Sequence, residues 1–280
     1  MSRALEFLRA AQNSDGGWGY KIGGMSFVEP TAAVLIALSL DAQSSAHVQR
    51  ARAFLKSLQR ADGGWGIAAL DDESGWMTAW AVWALAQNER DAAQRGINWL
   101  LEISGIRVTD PLQVAGVKKV LNIDATITGW PWQPGDAAWI FPTALALLAL
   151  HEMNVREHPR VREGIQYLLD RAILTGGWNI GNPFMVTGNL PPTVENTALA
   201  LMALHRFGIE NEITRRAQNS LAREHFTGTA FEWAWRALYW KTSNAPLERA
   251  HAALEKLQRA DGSFDGNVFT TASVAMTFDL

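Results

Sequence analysis

Four times the chain runs into a glycine-bearing turn of the same lettering: Gln12-Asn13-Ser14-Asp15-Gly16-Gly17-Trp18, Gln59-Arg60-Ala61-Asp62-Gly63-Gly64-Trp65, Thr175-Gly176-Gly177-Trp178 and Gln258-Arg259-Ala260-Asp261-Gly262-Ser263-Phe264. A segment that recurs with its flanks is a supersecondary unit, and such a unit buries its apolar face only by stacking on its neighbours. The flanks are two kinds of helical pattern in alternation. One is amphipathic, over residues 1–12, 47–60, 90–104, 156–172, 211–225 and 246–259; Val48, Ala51, Phe54, Leu55 and Leu58 recur at helical spacing while Gln49, Arg50, Arg52, Lys56 and Arg60 take the other face. The other is apolar nearly all round, over 30–40, 77–86, 142–151, 196–205, 231–239 and 270–280. A helix without a polar face needs cover on most sides, so these segments form an inner layer. Five of them open on related letters: Pro30-Thr31-Ala32, Met77-Thr78-Ala79, Pro142-Thr143-Ala144, Asn196-Thr197-Ala198 and Thr270-Thr271-Ala272.

The pattern predicts an all-α chain, six helical hairpins closed into an (α/α)6 toroid, with residues 1–280 as a single domain. An open solenoid is the less favoured arrangement, because residues 270–280 lack the polar outer face of a terminal cap. Lys and Arg number 25 against 28 Asp and Glu, with no like-charge block, so the footprint of a nucleic-acid binder is missing. There is no cysteine, which excludes disulfides, thiolate nucleophiles and sulfur-ligated metals, and agrees with a cytoplasmic location. The first ten residues read as amphipathic helix rather than an export signal. The longest apolar run, 141–150, is about half of what a bilayer span requires.

The Gln-x-x-x-Gly-x-Trp lettering at Gln12 to Trp18 and Gln59 to Trp65, degraded at Trp178 and Phe264, resembles the QW repeat of squalene-hopene cyclases and related prenyltransferase-type repeats. That resemblance implies a toroid in which the motif's Gln and Trp tie an outer helix to the following turn. It fixes function less well, since the same toroid serves terpene cyclases, protein prenyltransferases and complement thioester domains. Class II terpene cyclases of this family carry Asp-x-Asp-Asp-Thr-Ala at the start of an inner helix. Here Thr193-Val194-Glu195-Asn196-Thr197-Ala198 stands in that register, with one acid left. Protonating an alkene needs a strong acid, which neighbouring carboxyls at a helix N-terminus supply together. Glu195 is the candidate proton donor and Asn196 a candidate contact; Glu29, at the same step of the first hairpin, reads as a helix cap.

Trp76, Trp80, Trp83, Trp130, Trp132, Trp139, Phe141, Phe231, Trp233 and Trp235 gather near three inner-helix starts, as candidate walls of an aromatic cavity for an isoprenoid or a carbocation. No metal or other cofactor is expected: Asp71-Asp72-Glu73 reads first as a solvated loop and second as a magnesium site, and His151 and His205 as helix-end or core histidines. The functional expectation is a terpene-cyclase-like protein holding an isoprenoid, with protonation-initiated cyclisation as its chemistry. Two alternatives stand beside it: a non-catalytic isoprenoid or lipid carrier, and a carbohydrate-active toroid using Asp136, Glu195 and Glu232. The interruption over 105–129, carrying Val108, Leu112, Val114, Val117, Val120 and Leu121, stays open between a lid, a dimer contact and a membrane-surface patch.

Overall fold

The structure, a computed structural model, describes residues 2–39, 41–185, 188–223 and 228–278. The expected helix ends at Met1, Leu40, His225 and Leu280 lie outside the described residues. Two compact units divide the chain: Met1–Trp99 with Thr227–Leu280, and Leu100–Phe226.

The first unit holds α1 (Ser2–Ala10), α2 (Val28–Leu38), α3 (Ser45–Ser57), α4 (Met77–Leu85) and most of α5 (Arg90–Glu102). The second holds the end of α5, α6 (Pro111–Leu121), α7 (Ile140–Glu152), α8 (Pro159–Asp170), α9 (Val194–Arg206) and α10 (Glu212–Ala222). The chain then returns to the first unit with α11 (Ala230–Thr242), α12 (Glu248–Leu257) and α13 (Val268–Ala275). The alternation of outer and inner helices stands as expected. In the first unit the apolar helices pack side by side in the order α4, α2, α13, α11, with α3 against α2, α1 against α13 and α12 against α11. In the second, α7 packs on α9, backed by α8 and α10 respectively. No helix of the described residues is long and apolar enough to cross a membrane.

The recurring threonine, a bare sequence coincidence until now, has a job. Thr31, Thr78, Thr143, Thr197 and Thr271 each offer Oγ1 to the backbone N–H of Trp18, Trp65, Trp130, Trp178 and Phe264, at 2.9, 2.9, 2.9, 3.0 and 2.9 Å. The indole N–H groups of the four tryptophans donate to the carbonyls of Leu8, Leu55, Leu100 and Leu168 on the preceding outer helix, at 2.7, 2.7, 2.7 and 2.6 Å. Each tryptophan anchor thus joins outer helix, turn and inner helix through buried, paired hydrogen bonds, while Phe264 keeps only the bond to the inner helix. Gln12 and Gln59 complete the tie: each Nε2 donates to the turn carbonyl of Gly16 or Gly63, and to His47 or Ala92 on the next outer helix.

The glycines are there for close approach as well as for turning. Gly16 and Gly63 both have φ +91°, and a methyl on either would stand 2.7 Å from the carbonyl oxygen of Arg50 or Arg95 on the next outer helix. Gly262 makes the same approach to the carbonyl of Arg3, so the last turn docks on the first outer helix. Gly63→Ala, combining positive φ with a backbone clash, is expected to cost at least ~2 kcal/mol in urea unfolding.

Two features depart from the sequence expectation. Residues 105–129 carry a helix, α6, started by Asp110, whose carboxylate accepts from Gln113 N–H, and by Pro111 at the first position; it ends at Asn122 in left-handed conformation, φ 55°. α6 has no buried residue, and Leu112 is 84% exposed. Two strands of two residues each, β1 (Phe184–Met185) and β2 (Gly188–Asn189), also pair antiparallel inside the second unit.

Candidate functional site

Among the described residues one carboxylate is buried, and it belongs to Glu29, 8% exposed in the first turn of α2. The cap expectation is corrected here. Glu29 Oε2 accepts from the Tyr20 hydroxyl at 2.5 Å, a side-chain pair in place of a bond to the helix N–H groups. Tyr20 is held by the turn after Trp18: its carbonyl accepts from the Val268 N–H at the start of α13, at 2.8 Å.

Burial is the main cause that lifts the Glu29 carboxyl from 4.5 to about 7; the Tyr20 hydroxyl and the neighbouring Trp80 indole pull it partly back. The Trp80 N–H is itself buried and reaches no acceptor in hydrogen-bond geometry. Tyr20 is pushed far above the usual phenol range, first by burial and then by the adjacent Glu29. Of the two groups, Glu29 is the one brought close to neutrality, while Tyr20 stays protonated and donates to it.

Around this pair runs a continuous set of rings. Tyr20 lies 5.2 Å from Phe27 and 6.4 Å from Phe269; Phe269 meets Trp80 edge-on at 5.7 Å, and Trp80 stacks on Trp83 at 5.4 Å. Phe231 continues the set, 6.2 Å from Phe269 and 6.1 Å from Trp235. Tyr20, Phe27, Trp83 and Phe231 are only half-buried, whereas Trp80, Trp235 and Phe269 are buried. Such separations are those of edge-on and offset aromatic pairs, whose faces carry partial negative charge.

Of the sequence candidates, Trp80, Trp83, Phe231 and Trp235 come together here. Trp233 does not, for a helical reason: two residues from each of its neighbours, it projects from the other side of α11. There it packs on the cluster of Ala4, Leu254 and Phe264, 6.5 Å from Trp240 and under the guanidinium groups of Arg236 and Arg249. Trp76 is half-buried at the N-cap of α4.

The remaining candidates sit in the second unit. Trp130, 2% exposed, is a fifth turn anchor and shows no free face. Trp132 stacks on Phe141 at 5.9 Å, and the Trp139 indole donates to Asp136 Oδ2 at 3.2 Å. Glu195 is half-buried at the start of α9 and accepts a long 3.4 Å bond from Asn196 Nδ2. Asn196 is buried, donates to Thr193 Oγ1 at 2.8 Å, and leaves its Oδ1 without a partner.

The other acids have local duties. Asp71 accepts from the Ile67 and Glu73 N–H groups, Asp136 from Ala137 N–H, and Glu232 closes a capping box with Thr229. No group of three or more His, Asp or Glu side chains among the described residues has the arrangement of a metal site. His151, against the edge of Phe207 at 5.4 Å, is held below the usual imidazole pKa by burial and then by Arg156 and Arg206.

Sequence reasoning passed over Tyr20, Phe27 and Phe269, and read Glu29 only as a helix cap. The signal was register: Glu29, Trp76, Phe141, Glu195 and Phe269 all stand two residues before an anchor threonine.

The fold is all-α and similar to that of type II terpene cyclases. A variant of the cyclase MstE from Scytonema, in complex with its substrate geranylgeranyl dihydroxybenzoate, aligns with 99% of this chain and 94% of its own at a TM-score of 0.68 and 19% identity. At the sequence level the similarity is to squalene-hopene cyclases: residues 1–107 match the squalene-hopene cyclase C-terminal domain. It is 32% identical over 152 residues to the squalene–hopene cyclase of Alicyclobacillus acidocaldarius, covering 48% of this chain and 24% of that one. The chain therefore spans about a quarter of the length of that relative. An α-amylase from Clostridium perfringens shares the fold as well, with a TM-score of 0.67, 11% identity, and 99% and 97% of the two chains covered. At these identities the solved structures speak for the fold alone.

Proposed function

We propose that the chain binds an isoprenoid against the aromatic set of its first unit, with Glu29 exchanging a proton with the ligand. The observation that carries this is one buried carboxyl, poised near neutrality, next to a set of rings of which four are only half-buried. A carboxyl at about pKa 7 is a poor match for protonating an unactivated alkene. Binding comes first, and proton transfer from Glu29 suits a more basic acceptor, such as an epoxide or ether oxygen on the chain of the ligand. Cyclisation begun by Glu195, with Asn196, Trp132, Trp139 and Phe141 as its contacts, is the second reading, favoured by the helix-start register that Glu195 occupies. Residues 1–280 are taken as one domain, in a cytoplasmic setting. The exposed apolar side chains of 105–129 are taken as a contact with a membrane surface.

Native mass spectrometry after incubation with squalene, geranylgeranyl diphosphate and oxidosqualene is expected to find a one-to-one complex, weakened about tenfold by Trp83→Ala. Chromatography of the extracts separates the two chemistries: a product lost in Glu29→Gln assigns the first unit, one lost only in Glu195→Gln the second. No complex with any of the three would end the isoprenoid reading.

A further inference from the structure

The second unit contains a cavity of about 680 Å3, open to solvent, between α6, α8, β1 and α10. Its volume is that of a pocket for a small organic molecule. Its walls mix two chemistries. Ile173, Leu174, Phe184 and Ile213 supply an apolar surface, with Leu174 63% exposed. Lys118, Lys119 and Arg216 supply three cations.

The acid in the wall, Asp170, is already engaged: it pairs with Arg171 and accepts from the Asp124 N–H at 3.0 Å. Lys118 and Lys119 lie in the last turn of α6, where they also answer the helix dipole. Arg216 has no such excuse. It stands mid-helix on α10, half-buried, and its Nε is buried without a hydrogen-bond partner. The guanidinium group nevertheless belongs to a residue that lines the cavity, and its fixed positive charge beside Lys118 and Lys119 favours an anionic occupant.

We infer that this pocket binds an amphiphile with a phosphate-type head, the head on Arg216, Lys118 and Lys119 and the tail along Ile173, Phe184 and Ile213. A neutral apolar ligand would leave the three cations of the wall unanswered, and a bare inorganic anion would leave the apolar wall wet. Three cations favour a head of two or more negative charges over a carboxylate. The site is separate from the aromatic set of the first unit and goes beyond the function proposed there.

The test is calorimetry of the whole chain with dodecyl phosphate below its micelle concentration, beside dodecanol and inorganic phosphate. Dodecyl phosphate is expected to bind at least tenfold more tightly than either, less so in high salt, with at least a tenfold loss in Arg216→Met and in the exposed pair Lys118→Glu with Lys119→Glu. Trp83→Ala is expected to leave this binding unchanged, which separates the pocket from the isoprenoid face. Flotation with phosphatidylcholine vesicles containing phosphatidate distinguishes the source: dependence on Arg216 there assigns a bilayer lipid, and dependence in calorimetry alone a dispersed amphiphile. Equal affinity for dodecanol, or binding indifferent to both sets of substitutions, would overturn the inference.

Discussion

Trp65→Ala is expected to lower the unfolding free energy of the first unit by about 3–5 kcal/mol, the range for emptying a large buried aromatic site. The side chain is fully buried, its indole N–H holds Leu55 O, and its backbone N–H is fixed by Thr78. Truncation opens a cavity and strands the Leu55 carbonyl together. Trp65→Phe separates the two terms: it keeps most of the ring and forfeits the hydrogen bond, for an expected loss of about 1–3 kcal/mol. Urea midpoints followed by far-ultraviolet circular dichroism would measure both. If the alanine and phenylalanine variants lost the same amount, packing around the anchor would be ruled out as the larger contribution. Trp83→Ala, at a half-buried position, is expected to cost distinctly less than either.

Glu29→Gln should make the protein more stable at pH 8 and change little at pH 4. The folded carboxyl titrates at about 7 where the ordinary value is 4.5, so the folded state holds its proton longer than the unfolded chain does. Stability owed to the neutral form is complete below the unfolded pKa and drains away as pH rises through the folded one. The full difference corresponds to about 3 kcal/mol, lost between about pH 4.5 and 7. Glutamine, neutral throughout, removes that slope, and the difference between variant and parent isolates it from every other titrating group. Tyr20→Phe acts in the opposite sense on the carboxyl: without the hydroxyl bond, the Glu29 pKa should move up from about 7, read by carbonyl infrared titration. A variant-minus-parent stability difference flat across pH 4–8 would place Glu29 outside the role given to it.

The helical alternation was legible because burial and amphipathicity write themselves into composition along the chain. The anchor at Trp130 was not, since Thr128-Gly129-Trp130 lacks the glutamine and the double glycine. Its tie comes from elsewhere: Arg160 on α8 lies over the Trp130 ring at 4.2 Å and donates to the carbonyls of Ile103 and Gly129 at 3.0 and 2.9 Å. An interaction supplied thirty residues downstream leaves no local lettering. α6 did have such lettering, Asp110-Pro111 before an apolar-basic segment, and a long interruption was read as loop despite it. Glu29 was misjudged because an acid in a first helical turn ordinarily serves the dipole; only the placement of Tyr20 shows the carboxyl turned inward. Trp233 was grouped with Phe231 and Trp235 by nearness in sequence, where the helix puts alternate residues apart.

The docking of the last turn on the first helix has a consequence for the order in which this protein is made. Residues 100–226 are continuous, so every segment of that unit has been made once α10 leaves the ribosome. The other unit is not: α2 must wait, with one flank bare, until α13 arrives more than two hundred residues later. Its contacts are among the most distant in sequence that the chain makes, which slows folding and lengthens the exposure of an apolar helix to everything nearby. Protease challenge of stalled nascent chains should find residues 100–226 resistant first, with the earliest-made helices the last to be protected.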